Sequence, residues 1–428
     1  MTTSKAEVRS SLLALMETGL AAADPMLNIP KVLPAPPAGR TVVIGAGKAA
    51  AKMARATELN WGGDLSGTVI TRHGHGLPCE RISVIEAGHP VPDAEGLISS
   101  QKMLERLSNL GVDDLVLFLC SGGGSSLFEV PADGLSFPDI RSINKQMLMA
   151  GMPINEMNCI RKHISRVKGG RLAKFAFPAR LVTIAISDVP GDDPSAIASG
   201  PTVPDPTSRE MALGLIARYG LEVQPNVIEF LQTEAAETPK PGDSIFARSE
   251  FMMASRPEGM INAVADQAQF LGYQVVNLGA NVEGEASEVG RDQAALATQI
   301  ASTCHSGSAP VVILSGGETT VTVGKEGGRG GRNCEFLLSL GIHLKGNPLV
   351  SALAIDTDGI DGSEDNAGAI LDPETVSRAL TLGNDAQRYL AKHDSYSFFE
   401  ASRCLIKTGP TGTNVNDLRI IVIDPRTH

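Results

Sequence analysis

Thr41-Val42-Val43-Ile44-Gly45-Ala46-Gly47-Lys48-Ala49-Ala50 joins a short β-branched run to a glycine-rich turn carrying a lysine. The run is continuously apolar rather than alternating, which marks a strand covered on both faces, as in a parallel sheet. Similar runs recur at Thr68-Val69-Ile70, Ile82-Ser83-Val84-Ile85, Leu115-Val116-Leu117-Phe118-Leu119 and Leu181-Val182-Thr183-Ile184-Ala185-Ile186. Helix-like segments such as 49–59 and 94–109 stand between most of them. Strands alternating with helices predict a doubly wound α/β sheet.

Farther along, 233–244 (TEAAETPKPGDS) is charged and punctuated by proline, without apolar period. It reads as a domain junction. A second α/β series follows, with strands expected at 274–277, 311–314, 353–355 and 420–423. The expectation is a Rossmann-like domain over 1–240 and a smaller α/β domain over 241–428. An amphipathic helix is expected from Lys5 to Ala23, because Glu17 breaks an apolar run that lacks the shape of a signal peptide.

Bulk properties narrow the function class. The 428 residues are more than one ordinary domain needs. A net charge of −11 repels a phosphate backbone, so nucleic acid is not an expected partner. Forty-five glycines beside 4% aromatics suit tight strand-to-helix turns and fit poorly with base-stacking platforms. The six cysteines are scattered without a CxxC pair, as in a reducing, cytoplasmic setting. No stretch approaches the roughly 20 uninterrupted apolar residues of a membrane span. The reading leaves room for a homo-oligomer.

In open α/β sheets, ligands sit beyond the carboxyl ends of the strands, where this chain places its unusual residues. Gly45 and Gly47 permit a tight turn, the next helix offers its first N–H groups to an anion, and Lys48 adds a full charge. A plain turn with a solvated lysine is the alternative. Strand 115–119 runs into Cys120-Ser121-Gly122-Gly123-Gly124-Ser125-Ser126, a natural oxyanion nest. Strand 311–314 runs into Ser315-Gly316-Gly317-Glu318, a similar turn, so two phosphate cradles are expected. In Glu326-Gly327-Gly328-Arg329-Gly330-Gly331-Arg332-Asn333, guanidinium groups on a glycine-rich loop suit bidentate phosphate binding. Asn333 is expected to cap a helix over 334–340.

Acids follow two further strands. Asp188, Asp192 and Asp193 come after 181–186, and Asp356, Asp358 and Asp361 after 353–355. Such carboxylates suit Mg²⁺, with Asp193 and Asp358 the named candidates, although turn formation and capping are the commoner uses of Asp. Arg161-Lys162-His163 and Lys168-Gly169-Gly170-Arg171 form a cationic stretch whose default reading is a solvated basic face. His73, His75 and His89 lack a further ligand at zinc spacing, so structural or substrate-binding roles are expected of them.

Taken together, GAGKAA, GHPVPD, SGGGSS, RKHISRVKGGRLA, SDVPGDDPSAIASGPT, SGGETT, GGRGGRNCE, DTDGIDG and TGPTGTNVND resemble the bacterial glycerate 2-kinase family over residues 45–417. Some of its members carry an older hydroxypyruvate reductase label, and its C-terminal domain is of MOFRL type. The resemblance implies transfer of the γ-phosphoryl group of ATP to the 2-hydroxyl of D-glycerate, in a cleft between two domains. It also implies Lys48 and Arg332 as the catalytic pair. Cys334 stands where the family pattern leads one to expect glutamine. Asp188 is the first candidate for accepting the hydroxyl proton.

The main alternative is an NAD(P)H-dependent hydroxypyruvate reductase. A dinucleotide fingerprint wants an acid at the end of the next strand. Val69-Ile70-Thr71-Arg72 supplies none, although Arg72 would suit the 2′-phosphate of NADP. A non-catalytic nucleotide or sugar-acid sensor is a third reading.

Overall fold

The structure is a computed structural model and describes residues 4–305, 307–324 and 327–427. The chain divides into two compact units, one of Pro25–Ala254 and one of Met1–Asp24 with Ser255–His428.

In the first unit, the apolar runs form β1 (Thr41–Ala46), β2 (Ser66–Arg72), β3 (Ile82–Ala87), β4 (Leu115–Cys120) and β5 (Arg180–Ile186). An unforeseen strand, β6 (Ser249–Ser255), completes a sheet of order β3-β2-β1-β4-β5-β6. Every pairing from β3 to β5 is parallel. The order reverses between β1 and β4, the switch point at which open α/β sheets bind ligands. Val42, Ile44, Phe118, Phe128, Val167 and Leu172 belong to the core beneath it.

The two-domain α/β expectation holds, but the boundaries lie elsewhere. Segment 233–244 is folded into the first unit: Asp205 N–H donates to Pro239 O (3.0 Å), and Thr238 is buried with its hydroxyl on Asp205 Oδ2 (3.0 Å). The division falls at the end of β6, between Ala254 and Ser255, beyond residue 240. The helix Lys5–Ala22, expected in the first domain, packs in the second unit. Gly19 explains why: a Cβ there would lie 2.7 Å from Leu418 Cδ2 and 3.1 Å from Val264 Cγ2. The helix nestles against a strand nearly the whole chain away in sequence and against the helix Pro257–Phe270.

The second unit contains β7 (Gln274–Asn277), β8 (Val311–Gly317), β9 (Val350–Asp356), β10 (Gly368–Leu371), β11 (Leu405–Ile406) and β12 (Asp417–Ile423). The sheet order is β11-β10-β9-β12-β8-β7. Only β7–β8 is a parallel pair. β12 runs antiparallel between β8 and β9, so its first residue, Asp417, sits opposite Gly317 and Asp356. A doubly wound arrangement therefore does not extend to this unit. The strand that returns between two others carries an acid to the end where their loops begin.

Candidate active site

At the switch point of the first unit, two loops brace each other. Lys48 N–H donates to Gly122 O (2.8 Å), Ser121 N–H to Ala46 O (3.2 Å) and Ala49 N–H to Ser121 Oγ (3.0 Å). Gly47 N–H reaches Ile70 O (3.1 Å). Gly47 has φ +140°, and a Cβ there would lie 2.2 Å from Ser121 Oγ, so only glycine allows this approach. The amides of the Gly45–Ala49 turn are thus consumed internally, contrary to the expectation that they face an anion. The turn instead fixes where Lys48 starts.

The acceptor-free amides belong to the neighbouring loop. Gly122 and Gly123 N–H find no acceptor among the described residues, while Gly124 N–H is held by Ser121 O (3.1 Å). Gly123 has φ +80°, and a Cβ on it would lie 2.7 Å from His89 Nε2 and 3.5 Å from Lys48 Cγ. Lys48 and His89 therefore close over the loop. Ser125 Oγ stands 2.7 Å from Ser199 Oγ. Asp188 follows β5, and its charge adds to burial in raising the pKa of Cys120 at the end of β4. Lys48, Gly122–Ser125 and Asp188 thus gather at the carboxyl ends of three adjacent strands, with His89 as an addition.

In the second unit, Arg332 opens the helix Arg332–Leu344 and meets three carboxylates. Its Nε donates to Asp417 Oδ1 (2.8 Å), one Nη to Glu318 Oε1 (2.6 Å) and the other to Asp356 Oδ2 (3.0 Å). Burial alone would lower its pKa; Asp417, then Asp356 and Glu318, raise it instead. Glu318 is the exposed partner, with half its side chain in solvent, whereas Asp417 is wholly buried. Arg419, also wholly buried, bonds the other oxygen of Asp417 (2.5 Å) and lies 5.4 Å from the Phe336 ring centroid. Arg419 is not among the residues expected at the site, although a guanidinium inside the apolar run DLRIIVI is a sequence signal for a buried ionic partner.

The helix cap differs from expectation. Gly331 is the N-cap, and Asp361 accepts from Asn333 N–H and Cys334 N–H (both 2.9 Å). A remote carboxylate thus supplies what Asn333 was expected to supply, and offsets the helix dipole as well. Burial raises the pKa of Asp361, while these two amides pull it down. Arg329, in the same loop, pairs with Glu364 (2.7 Å) and lies 4.2 Å from the Tyr396 ring centroid. Glu326 lies outside the described residues.

The second glycine turn is tighter than a cradle. Ser315 is buried and bonded to Gln293 Nε2 (3.1 Å), and Gly316 N–H donates to Gly279 O (2.8 Å). A Cβ on Gly317 would lie 2.4 Å from Val282 N. Only Glu318 turns outward, toward Arg332. Among the acids, Asp193 is exposed, and Ser195 N–H and Oγ donate to its two oxygens (both 2.8 Å). Asp358 is buried, and its Oδ1 accepts from Ile360 N–H (2.8 Å). Among the described residues, no three His, Cys, Asp or Glu side chains form a metal-holding group.

The cationic stretch is not a solvated face. Lys162 is buried on Asp205 (3.2 Å), and Lys168 is fully buried, bonded to Glu129 and to Phe128 O (3.1 Å). His163 is buried with Nδ1 on Cys159 O (2.7 Å). Charges removed from water need such partners, and these lie tens of residues away in sequence.

Known proteins resemble this chain over nearly its whole length. A family model described as a domain of unknown function, DUF4147, matches residues 11–232, and the MOFRL family model matches residues 311–417. A relative from Agrobacterium vitis named "Putative hydroxypyruvate reductase" is 47% identical, covering 99% of this chain and 96% of its own. The D-glycerate 2-kinase of Thermotoga maritima is 38% identical over 96% of this chain and 97% of its own. The glycerate 2-kinase of Pyrococcus horikoshii is 39% identical over 90% and 88%. The crystal structure of the Thermotoga maritima glycerate kinase superposes with a TM-score of 0.88 at 36% identity, covering 97% of this chain and 99% of that one. The chain therefore belongs to the DUF4147–MOFRL family, the family of these glycerate kinases.

Proposed function

We propose that the chain is a glycerate 2-kinase, using ATP to phosphorylate the 2-hydroxyl of D-glycerate. The observation that carries this reading is the pair of braced loops at the β1/β4 switch point, which sets Lys48 beside Gly123 in the loop whose Gly122 and Gly123 amides have no acceptor among the described residues. Phosphoryl transfer asks the protein mainly for positioning and for positive charge on the equatorial oxygens. Lys48 is proposed to supply that charge, and the two amides to hold a phosphate oxygen. Arg332 is proposed to serve the same transfer, with Glu318 as the partner that a phosphate would displace. Asp188 would accept the proton as the 2-oxygen bonds to γ-phosphorus and the bond to ADP breaks.

Mg²⁺ would neutralise phosphate charge when bound. Asp193 fits such a role better than Asp358, because it is exposed, whereas Asp358 is buried in its own turn. An ion carried largely by nucleotide phosphates and water needs only one or two protein carboxylates.

The hydroxypyruvate reductase name of the Agrobacterium relatives favours a second reading. A dinucleotide pyrophosphate would need amides at the first glycine turn. Here Gly47, Lys48 and Ala49 N–H are already bonded within the protein, and β2 ends at Arg72 without an acid. The two readings separate in paired assays on purified protein: ADP formation from ATP–Mg²⁺ and D-glycerate, and NAD(P)H oxidation by hydroxypyruvate. Activity in the first assay alone is expected. Activity in the second alone would reverse the conclusion.

A further inference from the structure

The turn after β5 holds an unusual backbone. Ala198, Ser199 and Gly200 have φ of 50°, 61° and 62°, three successive left-handed residues of which two carry side chains. Non-glycine residues in this region are disfavoured and persist where surrounding structure holds them, often at functional sites. The hold is visible here. Gly169 N–H donates to Ser199 O (3.0 Å), Gly170 N–H to Gly200 O (2.7 Å) and Leu172 N–H to Pro201 O (3.0 Å).

Both strained side chains face the glycine-rich loop after β4. A Cβ on Gly124 would come within 3.0 Å of Ala198 Cβ, so the alanine methyl packs on that glycine. Ser199 is fully buried; its Oγ donates to Asn158 Oδ1 (3.0 Å) and therefore accepts from Ser125 Oγ (2.7 Å). Arg161 carries the chain onward, with one Nη on Asn158 Oδ1 (3.5 Å) and Nε on Asn144 Oδ1 (2.7 Å). If this turn served only the fold, glycine at 199 would relieve the strain. A serine kept there by five polar contacts around the turn points to use of its hydroxyl.

We infer that Ser199 is a positioning residue: its hydroxyl fixes Ser125, and with Ala198 on Gly124 it sets the geometry of the Ser121–Ser126 loop. The inference rests on the kinase reading for its effect on rate. Ser199 is fully buried, so it acts through Ser125.

Ser199→Gly tests this, because it removes the hydroxyl and relieves the strained φ together. Tm is expected to stay level or rise while kcat falls roughly 10- to 100-fold, with KM for ATP and D-glycerate moving less than about threefold. Ser125→Ala should behave alike, and the double variant should be no more than about twofold worse than the poorer single. Amide hydrogen exchange across 121–127 should accelerate in Ser199→Gly, a readout independent of turnover. Wild-type kcat in Ser199→Gly, a multiplicative double variant, or unchanged exchange would each overturn the inference. Wild-type protein that forms no ADP from ATP and D-glycerate would overturn the kinase reading, leaving the exchange result to judge Ser199.

Discussion

Arg332→Ala should damage stability and rate by separable amounts. The side chain neutralises Asp417 and Asp356, which are buried, and Glu318, which is exposed. Removing one partner of a buried ion pair costs about 3–5 kcal/mol. Two features favour the low end. Arg419 still holds the second oxygen of Asp417, and one-fifth of the Arg332 side chain is already in solvent. The expectation is therefore about 3 kcal/mol. A unit of this size loses about 2–4 °C of Tm per kcal/mol, so the transition of the second unit should drop by about 6–12 °C. Scanning calorimetry measures this directly. Below that transition, kcat should still be at least about 100-fold lower, since a charged donor to a transferring phosphoryl group commonly contributes 10³–10⁵. Arg329→Ala is the control: its half-exposed side chain, resting on Glu364 and the Tyr396 ring, predicts near-wild-type kcat. A Tm within about 2 °C of wild type would refute the ion-cluster reasoning. A lowered Tm with wild-type kcat would make Arg332 purely structural.

Three further expectations follow from single residues. Gly123→Ala puts a Cβ against His89 at φ +80°, costing about 1–2 kcal/mol, and should lower kcat at least about tenfold by displacing Lys48 and His89; unchanged kcat would contradict the role given to these loops. Burial tends to raise the pKa of Glu237, but hydrogen bonds from Lys240 and the Arg209 and Thr238 amides bring it down to about 2 from an ordinary 4.5. Its contribution to the first unit is thus complete above pH 4.5 and lost as pH falls from there toward 2; Glu237→Gln should flatten Tm against pH over that window, and an identical profile would count against it. EDTA should abolish turnover and Mg²⁺ restore it, whereas full activity in chelator would remove the metal from the account.

The sequence spoke most clearly where one local signal sufficed. Continuous runs such as Leu115–Leu119 located buried strands, and the glycines at 45, 47 and 122–124 located the turns beyond them. Strand direction has no such signature: Ile420–Ile423 reads alike whether parallel or antiparallel, so the delivery of Asp417 beside Asp356 was hidden. Partner charges were equally hidden. Lys168 looks solvated until Glu129 is placed beside it, and Asp361 looks like a metal ligand until it is found capping the helix of Arg332. The Gly45–Ala49 turn illustrates a subtler limit. Its glycines do mark a tight turn, but the turn is packed on Ser121 and Gly122, and the available amides lie one loop away.

The central claim is transfer to the 2-hydroxyl, and the identity of the product tests it most directly. Purified protein supplied with ATP–Mg²⁺ and D-glycerate can be followed with enolase, which dehydrates 2-phosphoglycerate but not its 3-phospho isomer. Immediate enolase-dependent absorbance of phosphoenolpyruvate, with 2-phosphoglycerate and phosphoenolpyruvate together equal to the ADP formed, is the expected result. ADP without that signal unless a phosphoglycerate mutase is added would place the phosphate on the 3-hydroxyl, and no ADP at all would contradict the account.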